Sequence, residues 1–291
     1  MSFYTELLKK RISVRSYGKK DLDSTIKKRI GTILSASSNS PFGSGVRFSL
    51  LETSDKEREE LKKLGTYGMI SGAPAFIIGA VVLSDMAMED YGYCLEKIIL
   101  QLTDLGLGTC WLGGTFRRSG FAEYLKPGEN EVMPAITPVG YPSDKPGLKE
   151  RVIRKAIGAR NRKPREELFF TGDPSSPVPV KPFASGGNGI LKGYDAALEA
   201  VRLGPSASNK QPWRIFRAEN EKVFRFFLKP TPGYGTFIKN VSFQDLDLGI
   251  AMCHFELTAA EEGCSGSWQR EADAPAPEGM KYIASWIDND D

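Results

Sequence analysis

The chain has 291 residues, of which 41% are hydrophobic and 26% are charged. These proportions are ordinary for a globular protein of one or two domains and argue against a mainly disordered chain. The formal net charge is only +3, which is too balanced to indicate nucleic acid or an anionic membrane as a general partner. The single histidine, His254, excludes a His-rich metal site.

Two further features indicate a cytoplasmic protein. Residues 1–17 are basic but have no apolar run behind them, so they do not predict a secretory signal, and the most apolar stretch, residues 73–83, is too short to span a bilayer. No pair of cysteines has the C-x-x-C spacing of zinc or thioredoxin-type sites, which favours reduced, buried thiols. The four are Cys94, Cys110, Cys253 and Cys264.

Apolar spacing predicts alternating helices and strands in the first half. In chain order these are a helix over 21–34 capped by Asp21 or Asp23, a strand over 46–52, a charged helix over 55–64, a buried strand over 75–83 and a long helix over 85–105.

Residues 171–190 contain four prolines and four glycines, which predicts a linker or an extended crossing segment. Its GGNG run is not a phosphate loop, because no strand precedes it and the Lys-Ser/Thr of such loops is absent. The linker predicts a first half over 1–170 and a second half over 191–291. Predicted in the second half are a helix over 191–203, strands over 213–218 and 222–228, and a long helix over 245–262.

The two long helices resemble each other, which indicates an internal duplication. Five residue pairs share an offset of 157 positions: Asp90 and Asp247, Gly92 and Gly249, Leu100 and Leu257, Gly106 and Gly263, and Trp111 and Trp268. A Ser- and Asn-rich segment also precedes a strand in both halves. Chance likeness between amphipathic helices is the alternative, but it does not account for the paired Gly and Trp positions.

The first cluster that suits a ligand is Arg11-Ile12-Ser13-Val14-Arg15. If this segment is extended, alternation points Arg11, Ser13 and Arg15 the same way, and their guanidinium and hydroxyl groups suit a phosphate. An ordinary basic surface is the alternative.

Two other clusters lie later in the chain. Residues 205–213 (PSASNKQPW) are rich in hydroxyls and amides that suit a polar heterocycle or polyol, although a helix end turning into a strand explains them as well. Residues 160–164 (RNRKP) follow a basic run, for which a solvated connector is the alternative.

Taken together, these segments resemble the FMN-dependent nitroreductase family. The family's R-x-S-x-R segment reads Arg11 to Arg15, its P-S-x-x-N-x-Q-P-W segment reads Pro205 to Trp213, and its G-L-G-x-x-W-x-G segment reads Gly106 to Gly113. Its late basic residues before a proline match Arg160 and Arg162. The order departs from that of the usual homodimeric member, because the P-S-x-x-N segment is intact only in the second half and the other motifs only in the first.

This distribution implies a fused dimer that kept one flavin site and lost the other. The resemblance implies an α+β nitroreductase-like fold, with two tandem halves forming an intrachain pseudo-dimer around a mixed, mainly antiparallel sheet. It also implies a monomer with one flavin per chain.

The resemblance further implies an oxidoreductase in which FMN carries hydride from NADH or NADPH to a small acceptor, such as a nitroaromatic compound or a quinone, with no catalytic side chain. The alternatives are a flavin-binding module without turnover and a scaffold without flavin. The implied cofactor-binding residues are Arg11, Ser13, Arg15, Leu112, Gly113, Gly114, Arg160, Arg162, Pro205, Ser206, Ala207, Ser208 and Asn209.

Overall fold

The structure is a computed structural model that describes residues 3–54, 66, 68–144, 161–172, 178–179, 189–217, 223–232 and 238–289. The predicted charged helix over 55–64 and most of the predicted linker lie outside these ranges. The chain divides into two compact units. The N-unit consists of Lys9–Arg160 and Thr236–Phe243, and the C-unit consists of Met1–Leu8, Asn161–Gly235 and Gln244–Asp291. The expected halves were 1–170 and 191–291. The C-unit instead includes the first eight residues, and its main part starts at Asn161, ahead of the predicted linker.

The described elements of the N-unit surround one antiparallel sheet. They are α2 (Ser24–Ala36), β1 (Val46–Glu52), β2 (Ala75–Val82), α3 (Ala87–Asp104), β3 (Gly108–Thr109), α4 (Arg118–Leu125), β4 (Glu131–Val132) and β5 (Ile136–Gly140). The strand order is β1-β2-β5-β3, with β4 also paired to β2. The continuous apolar run of β2 fits its central place, because both faces of the strand are covered.

Local sequence explains how α2 begins. The Asp23 side chain accepts a hydrogen bond from the backbone N–H of Ile26 at 2.9 Å, which satisfies a donor that the first helical turn leaves unpaired. Of the two candidate caps, Asp23 is therefore the one used.

The described elements of the C-unit surround a second sheet, which is mixed. They are α1 (Phe3–Lys10), β6 (Phe169–Thr171), β7 (Val178–Pro179), α5 (Gly189–Leu203), β8 (Trp213–Arg217), β9 (Val223–Leu228), α6 (Phe243–Glu261), β10 (Gly266–Gln269) and β11 (Lys281–Asp288), with Lys9, Lys10 and Phe243 assigned to the N-unit. The strand order is β10-β11-β9-β8-β6-β7, in which only β6 and β8 pair in parallel. The predicted α+β class with mainly antiparallel pairing is confirmed, although each unit has its own sheet.

Aromatic side chains fill the core of the C-unit. The ring of Phe255 on α6 lies 5.1 Å from that of Phe224 and 5.3 Å from that of Phe226, measured between centroids. Trp268 and Trp286 contact the same ring. Such edge and tilted contacts add to the apolar area that the rings bury.

The internal repeat recurs in the backbone geometry at the ends of α3 and α6. The N–H of Leu107 bonds the carbonyl of Leu102 at 3.0 Å, and 157 residues later the N–H of Cys264 bonds the carbonyl of Ala259 at 2.9 Å. The intervening Gly106 and Gly263 have φ of 73° and 85°. A left-handed glycine closed by these bonds is a common helix end, and here both units form it in the same register.

The repeated aspartates of the two helices also share a structural role, because each accepts hydrogen bonds from backbone N–H groups of its own unit. Asp90 accepts hydrogen bonds from the backbone N–H groups of Phe42 at 3.0 Å and Ser44 at 2.9 Å. Asp247 accepts one from the N–H of Ala207 at 2.8 Å. In both units a buried carboxylate therefore fixes the polar loop that precedes a strand.

Within the described part of the chain, no helix combines the length and apolar character that a membrane crossing requires.

Candidate functional site

The R-x-S-x-R segment lies in the N-unit as extended backbone. The N–H of Val14 bonds the carbonyl of Thr109 on β3 at 2.8 Å, and the carbonyl of Arg15 accepts from the N–H of Ser71 at 2.9 Å. Val14 is buried, whereas Ile12 is 50% exposed. A common direction for Arg11, Ser13 and Arg15 stays a prediction from alternation.

A buried glutamate joins this segment to the G-L-G-x-x-W segment. Glu96 on α3 is fully buried and accepts a hydrogen bond from Nε1 of Trp111 at 2.7 Å. Its other oxygen lies 3.7 Å from Nε of Arg11, whose side chain is 8% exposed. Two segments that the resemblance assigns to flavin are thus held by one carboxylate, which sequence reasoning did not single out.

Gly108 supplies a second link between the same two segments. A Cβ at this position would lie 2.8 Å from the Cβ of Val14, which real side chains essentially never do. The second glycine of the G-L-G motif therefore admits the side chain of Val14 and lets the extended segment lie against β3.

The backbone of residues 112–114 offers fewer donors than the sequence suggests. The N–H of Leu112 donates to the carbonyl of Ile136 at 3.0 Å and is not available to a ligand. For the N–H groups of Gly113 and Gly114, the described residues provide no hydrogen-bond acceptor. Gly114 is also exposed. These two amides are the donors that this segment can present to a ligand.

Two side chains hold this glycine pair within the N-unit. Nη2 of Arg118 donates to the carbonyl oxygen of Gly113 at 2.9 Å. The ring of Phe243 packs against Gly113, since a Cβ at Gly113 would lie 2.6 Å from Cε1 of that ring. The space beside the Cα of Gly113 is therefore filled by an aromatic ring, and neither side chain was predicted to take part.

Arg15 contributes a further donor to the N-unit set. Its Nε atom is buried and has no hydrogen-bond partner among the residues that the structure describes. A buried donor without an acceptor is costly, and an anion bound at this position would remove that cost.

The Pro205–Asn209 loop lies in the C-unit and has an unusual backbone. Ser208, Asn209 and Gln211 have φ of 49°, 55° and 50°, in the left-handed region that non-glycine residues rarely adopt. The Oγ of Ser206 accepts from the N–H of Gln211 at 2.8 Å, and Asp247 holds Ala207 as described above. Strained backbone of this kind occurs preferentially at ligand sites.

Arg162 lies beside this loop in the C-unit. Its Nη1 donates to Oδ1 of Asn209 at 3.0 Å, and its Nε and Nη2 donate to the carbonyl of Leu203 at 3.2 Å and 3.0 Å. The guanidinium therefore holds the end of α5 and orients the Asn209 amide. Arg160, the other member of the predicted basic pair, lies outside the described residues.

Sequence reasoning missed Arg214 and Lys229, which lie with Lys163 around the same loop. The backbone N–H of Lys163 donates to the side-chain oxygen of Gln211, and Nη1 of Arg214 donates to the Gln211 carbonyl. The backbone N–H of Lys229 donates to the carbonyl of Pro212. Burial lowers the pKa of Lys163, and Arg214, Lys229 and Lys210 lower it further, while Glu167 opposes them. This positive surrounding suits an anionic ligand.

Two single residues that attract attention in the sequence are packed into their units. Cys110 is buried, and its N–H donates to Oγ1 of Thr137 at 3.0 Å. His254 is 1% exposed, with Nδ1 3.0 Å from the carbonyl oxygen of Ala200. The described residues contain no group of three or more His, Cys, Asp or Glu side chains that would hold a metal ion.

The class of protein follows from comparisons with known proteins. The model of the family described as "Putative TM nitroreductase" matches residues 4–259. The chain therefore belongs to this nitroreductase family. No protein of curated function matches it significantly.

Solved structures of similar fold include a "putative nitroreductase" from Thermotoga maritima, with 20% identity and a TM-score of 0.60 over 100% of this chain and 95% of that one. The fold is thus shared over the full length. An FMN-dependent nitroreductase from Clostridium difficile is 23% identical, with a TM-score of 0.40 over 51% of this chain and 94% of that one. A "Putative NADH Oxidase" from Clostridium acetobutylicum is 24% identical, with a TM-score of 0.39 over 48% of this chain and 89% of that one.

Proposed function

We propose that this nitroreductase-family chain is an FMN-dependent oxidoreductase. It passes hydride from NADH or NADPH, by way of the flavin, to a small acceptor such as a nitroaromatic compound or a quinone. The observation that carries the proposal is the joining of the R-x-S-x-R and G-L-G-x-x-W segments in the N-unit through Glu96 and through Val14 on Gly108. Contacts that keep two ligand-binding motifs together support a role for both in one site.

The side chains of the extended segment fit the phosphate end of FMN. Arg11 and Arg15 carry guanidinium groups that bind phosphate oxygens through fixed pairs of N–H donors, and Ser13 adds a hydroxyl between them. Arg15 has a buried donor still to be satisfied. FMN, when bound, would supply the two-electron chemistry itself.

The Gly113 and Gly114 amides fit the acceptor atoms on the edge of the flavin ring. Their N–H groups have no acceptor among the described residues, and a ring nitrogen or carbonyl oxygen would provide one. Leu112 supports them through its bond to Ile136 rather than by contacting the ligand.

In the C-unit we assign flavin contacts to the loop of Pro205, Ser206, Ala207, Ser208 and Asn209. Its left-handed residues and its positive surrounding support a ligand-binding role. The contacts of Arg162 favour a role in holding this loop, and a phosphate contact by Arg160 stays a prediction from the sequence.

We also propose that the protein is a cytoplasmic monomer. All four cysteines are buried thiols that form no disulfide, which suits a reducing compartment. A chain that carries both members of a duplicated pair does not need a second copy to supply the missing motifs. Static light scattering at one chain mass would support the monomer, and a stable homodimer would contradict it.

The test combines flavin binding with turnover. Purified protein is loaded with FMN and mixed anaerobically with NADH or NADPH, and loss of the flavin absorbance followed by its return on adding menadione would support the oxidoreductase. Bound flavin that neither nucleotide reduces would favour a binding module without turnover.

A matched pair of arginine variants tests the site itself. Arg15→Gln is expected to weaken FMN binding at least tenfold, or by about 1.4 kcal/mol. Arg47→Gln is the control, because Arg47 pairs with Glu131 and bonds the carbonyl of Leu125, away from both motifs. Equal FMN affinity in the Arg15 variant and the wild type would overturn the assignment.

A further inference from the structure

Arg118, in the first turn of α4, donates hydrogen bonds to three backbone carbonyl oxygens. Its Nε donates to Met133 at 2.9 Å, and its Nη2 donates to Gly113 at 2.9 Å and Pro134 at 2.7 Å. The guanidinium also lies over the ring of Phe116, 4.5 Å from the centroid. One fixed side chain therefore ties the glycine pair to the segment that leads into β5.

The bond to Gly113 determines where the next amide points. A trans peptide is planar, so the carbonyl of Gly113 and the N–H of Gly114 point in opposite directions. Two consecutive glycines otherwise leave this peptide free to rotate, because neither has a Cβ to restrict φ and ψ. Holding the carbonyl oxygen on Arg118 turns the Gly114 N–H away from it, and among the described residues no protein group accepts that N–H.

We propose that Arg118 is a positioning residue, which fixes the Gly113–Gly114 peptide so that the Gly114 N–H is presented to a carbonyl oxygen of the bound flavin. This inference rests on the proposed function and deepens it. Arg118 does not itself touch the flavin in this account.

The positive charge of Arg118 strengthens its hydrogen bonds to these carbonyl oxygens. Burial lowers the pKa of Arg118 to about 10, with Tyr91 opposing the shift. The guanidinium is still charged at neutral pH, so its hydrogen bonds to carbonyl oxygens are charge-assisted and stronger than neutral ones.

The first experiment measures the flavin midpoint potential and the FMN dissociation constant in Arg118→Gln and Arg118→Lys. An N–H that donates to a flavin carbonyl oxygen stabilises the electron-rich reduced form more than the oxidised form, because that oxygen gains negative charge on reduction. Arg118→Gln is expected to weaken binding of reduced FMN about tenfold relative to oxidised FMN, which for a two-electron couple is about −30 mV. Arg118→Lys keeps a cationic donor and is expected to recover part of the shift.

The control is Arg47→Gln, which also removes an arginine that bonds backbone carbonyls, those of Leu125 and Lys126. It is expected to leave the potential unchanged. A wild-type potential in Arg118→Gln with FMN bound would overturn the positioning role alone. Failure of the wild-type protein to bind FMN would overturn the proposed function, and this inference with it.

A second measurement does not depend on how well the variants fold. In wild-type protein labelled with ¹⁵N, the Gly114 amide proton is expected to shift downfield when FMN is added, because it gains an acceptor. A Gly114 signal that FMN leaves in place would overturn the proposal.

Discussion

The two buried helix aspartates, one in each unit, show how a duplicated framework diverges. Asp90 has both carboxylate oxygens satisfied by backbone N–H groups, those of Phe42 and Ser44. Asp247, at the equivalent position, has Oδ1 bonded to Ala207, while Oδ2 is buried with no partner among the described residues. The framework is therefore kept in both units, whereas the polar loop that it holds has changed.

The repeated tryptophan–glutamate pairs diverge in the same way. Nε1 of Trp111 bonds Glu96 at 2.7 Å, and Nε1 of Trp268 bonds Glu256 at the same distance. Of these two glutamates, only Glu96 also faces an arginine among the described residues, namely Arg11 of the R-x-S-x-R segment. The N-unit thus uses a shared structural contact to support its proposed ligand residues.

The largest expected effect is a difference in unfolding free energy between variants of these two glutamates. Glu96→Gln leaves the charge of Arg11 buried without its partner and is expected to lower the free energy of unfolding by about 3 kcal/mol. Glu256→Gln keeps an amide oxygen for Trp268 and is expected to cost about 1 kcal/mol or less. Urea unfolding of both variants measures the difference, and equal losses would contradict a special role for Glu96.

The next largest expected effect is a difference in unfolding free energy between variants of the two aspartates. Asp90→Asn replaces one of two acceptor oxygens by an NH₂ group facing an N–H, and is expected to cost about 2 kcal/mol of unfolding free energy. Asp247→Asn keeps one acceptor for Ala207 and removes a buried charge, so it is expected to be neutral or slightly stabilising at pH 7. Thermal and urea unfolding of the pair test this, and a loss in Asp247→Asn as large as in Asp90→Asn would refute it.

The helix ends, in contrast, should respond alike. Gly106 and Gly263 both have positive φ, and a Cβ at either position would meet no atom within 4 Å. Alanine at each position is therefore expected to cost about 1 kcal/mol through backbone strain alone. Urea unfolding is the measurement, and costs that differ by more than about 1 kcal/mol would mean that the two ends are not equivalent.

The smallest expected effect is a pH dependence from Asp247. Burial is the main cause that raises its pKa well above the ordinary value of 3.8, against the bond from Ala207. A raised pKa contributes stability that is full below the unfolded pKa and is lost as the pH rises through the folded pKa. The unfolding free energy of wild type minus that of Asp247→Asn should therefore fall as the pH rises above about 4, and a difference that is constant with pH would contradict the assignment.

Much of the fold could be predicted where the sequence pattern is strong. The strand predicted over 46–52 is Val46–Glu52, and the helix predicted over 85–105 is Ala87–Asp104. Short or weakly patterned elements were missed. Helix Arg118–Leu125 contains Gly120 and has no side-chain cap at Arg117, so the sequence has no pattern that predicts where it begins.

The candidate site was predictable only as far as its motifs. Arg11, Ser13 and Arg15 form a recognisable pattern, and a common direction for their side chains was expected on condition that the segment is extended. Glu96 and Arg118 were not predicted, because a charged residue on a helix ordinarily indicates an exposed surface and its tertiary partners are distant in sequence. The sequence also could not show that the N–H of Leu112 is already bonded, because its acceptor is the carbonyl of Ile136, 24 positions later in the chain.

Flavin stoichiometry decides whether the duplicated chain forms the single flavin site proposed for it. Purified protein is saturated with FMN, freed of excess, and its flavin absorbance is compared with its protein concentration. We expect one FMN per chain, bleached by NADH or NADPH. Two FMN per chain would mean that the second site persists, and none would remove the oxidoreductase proposal.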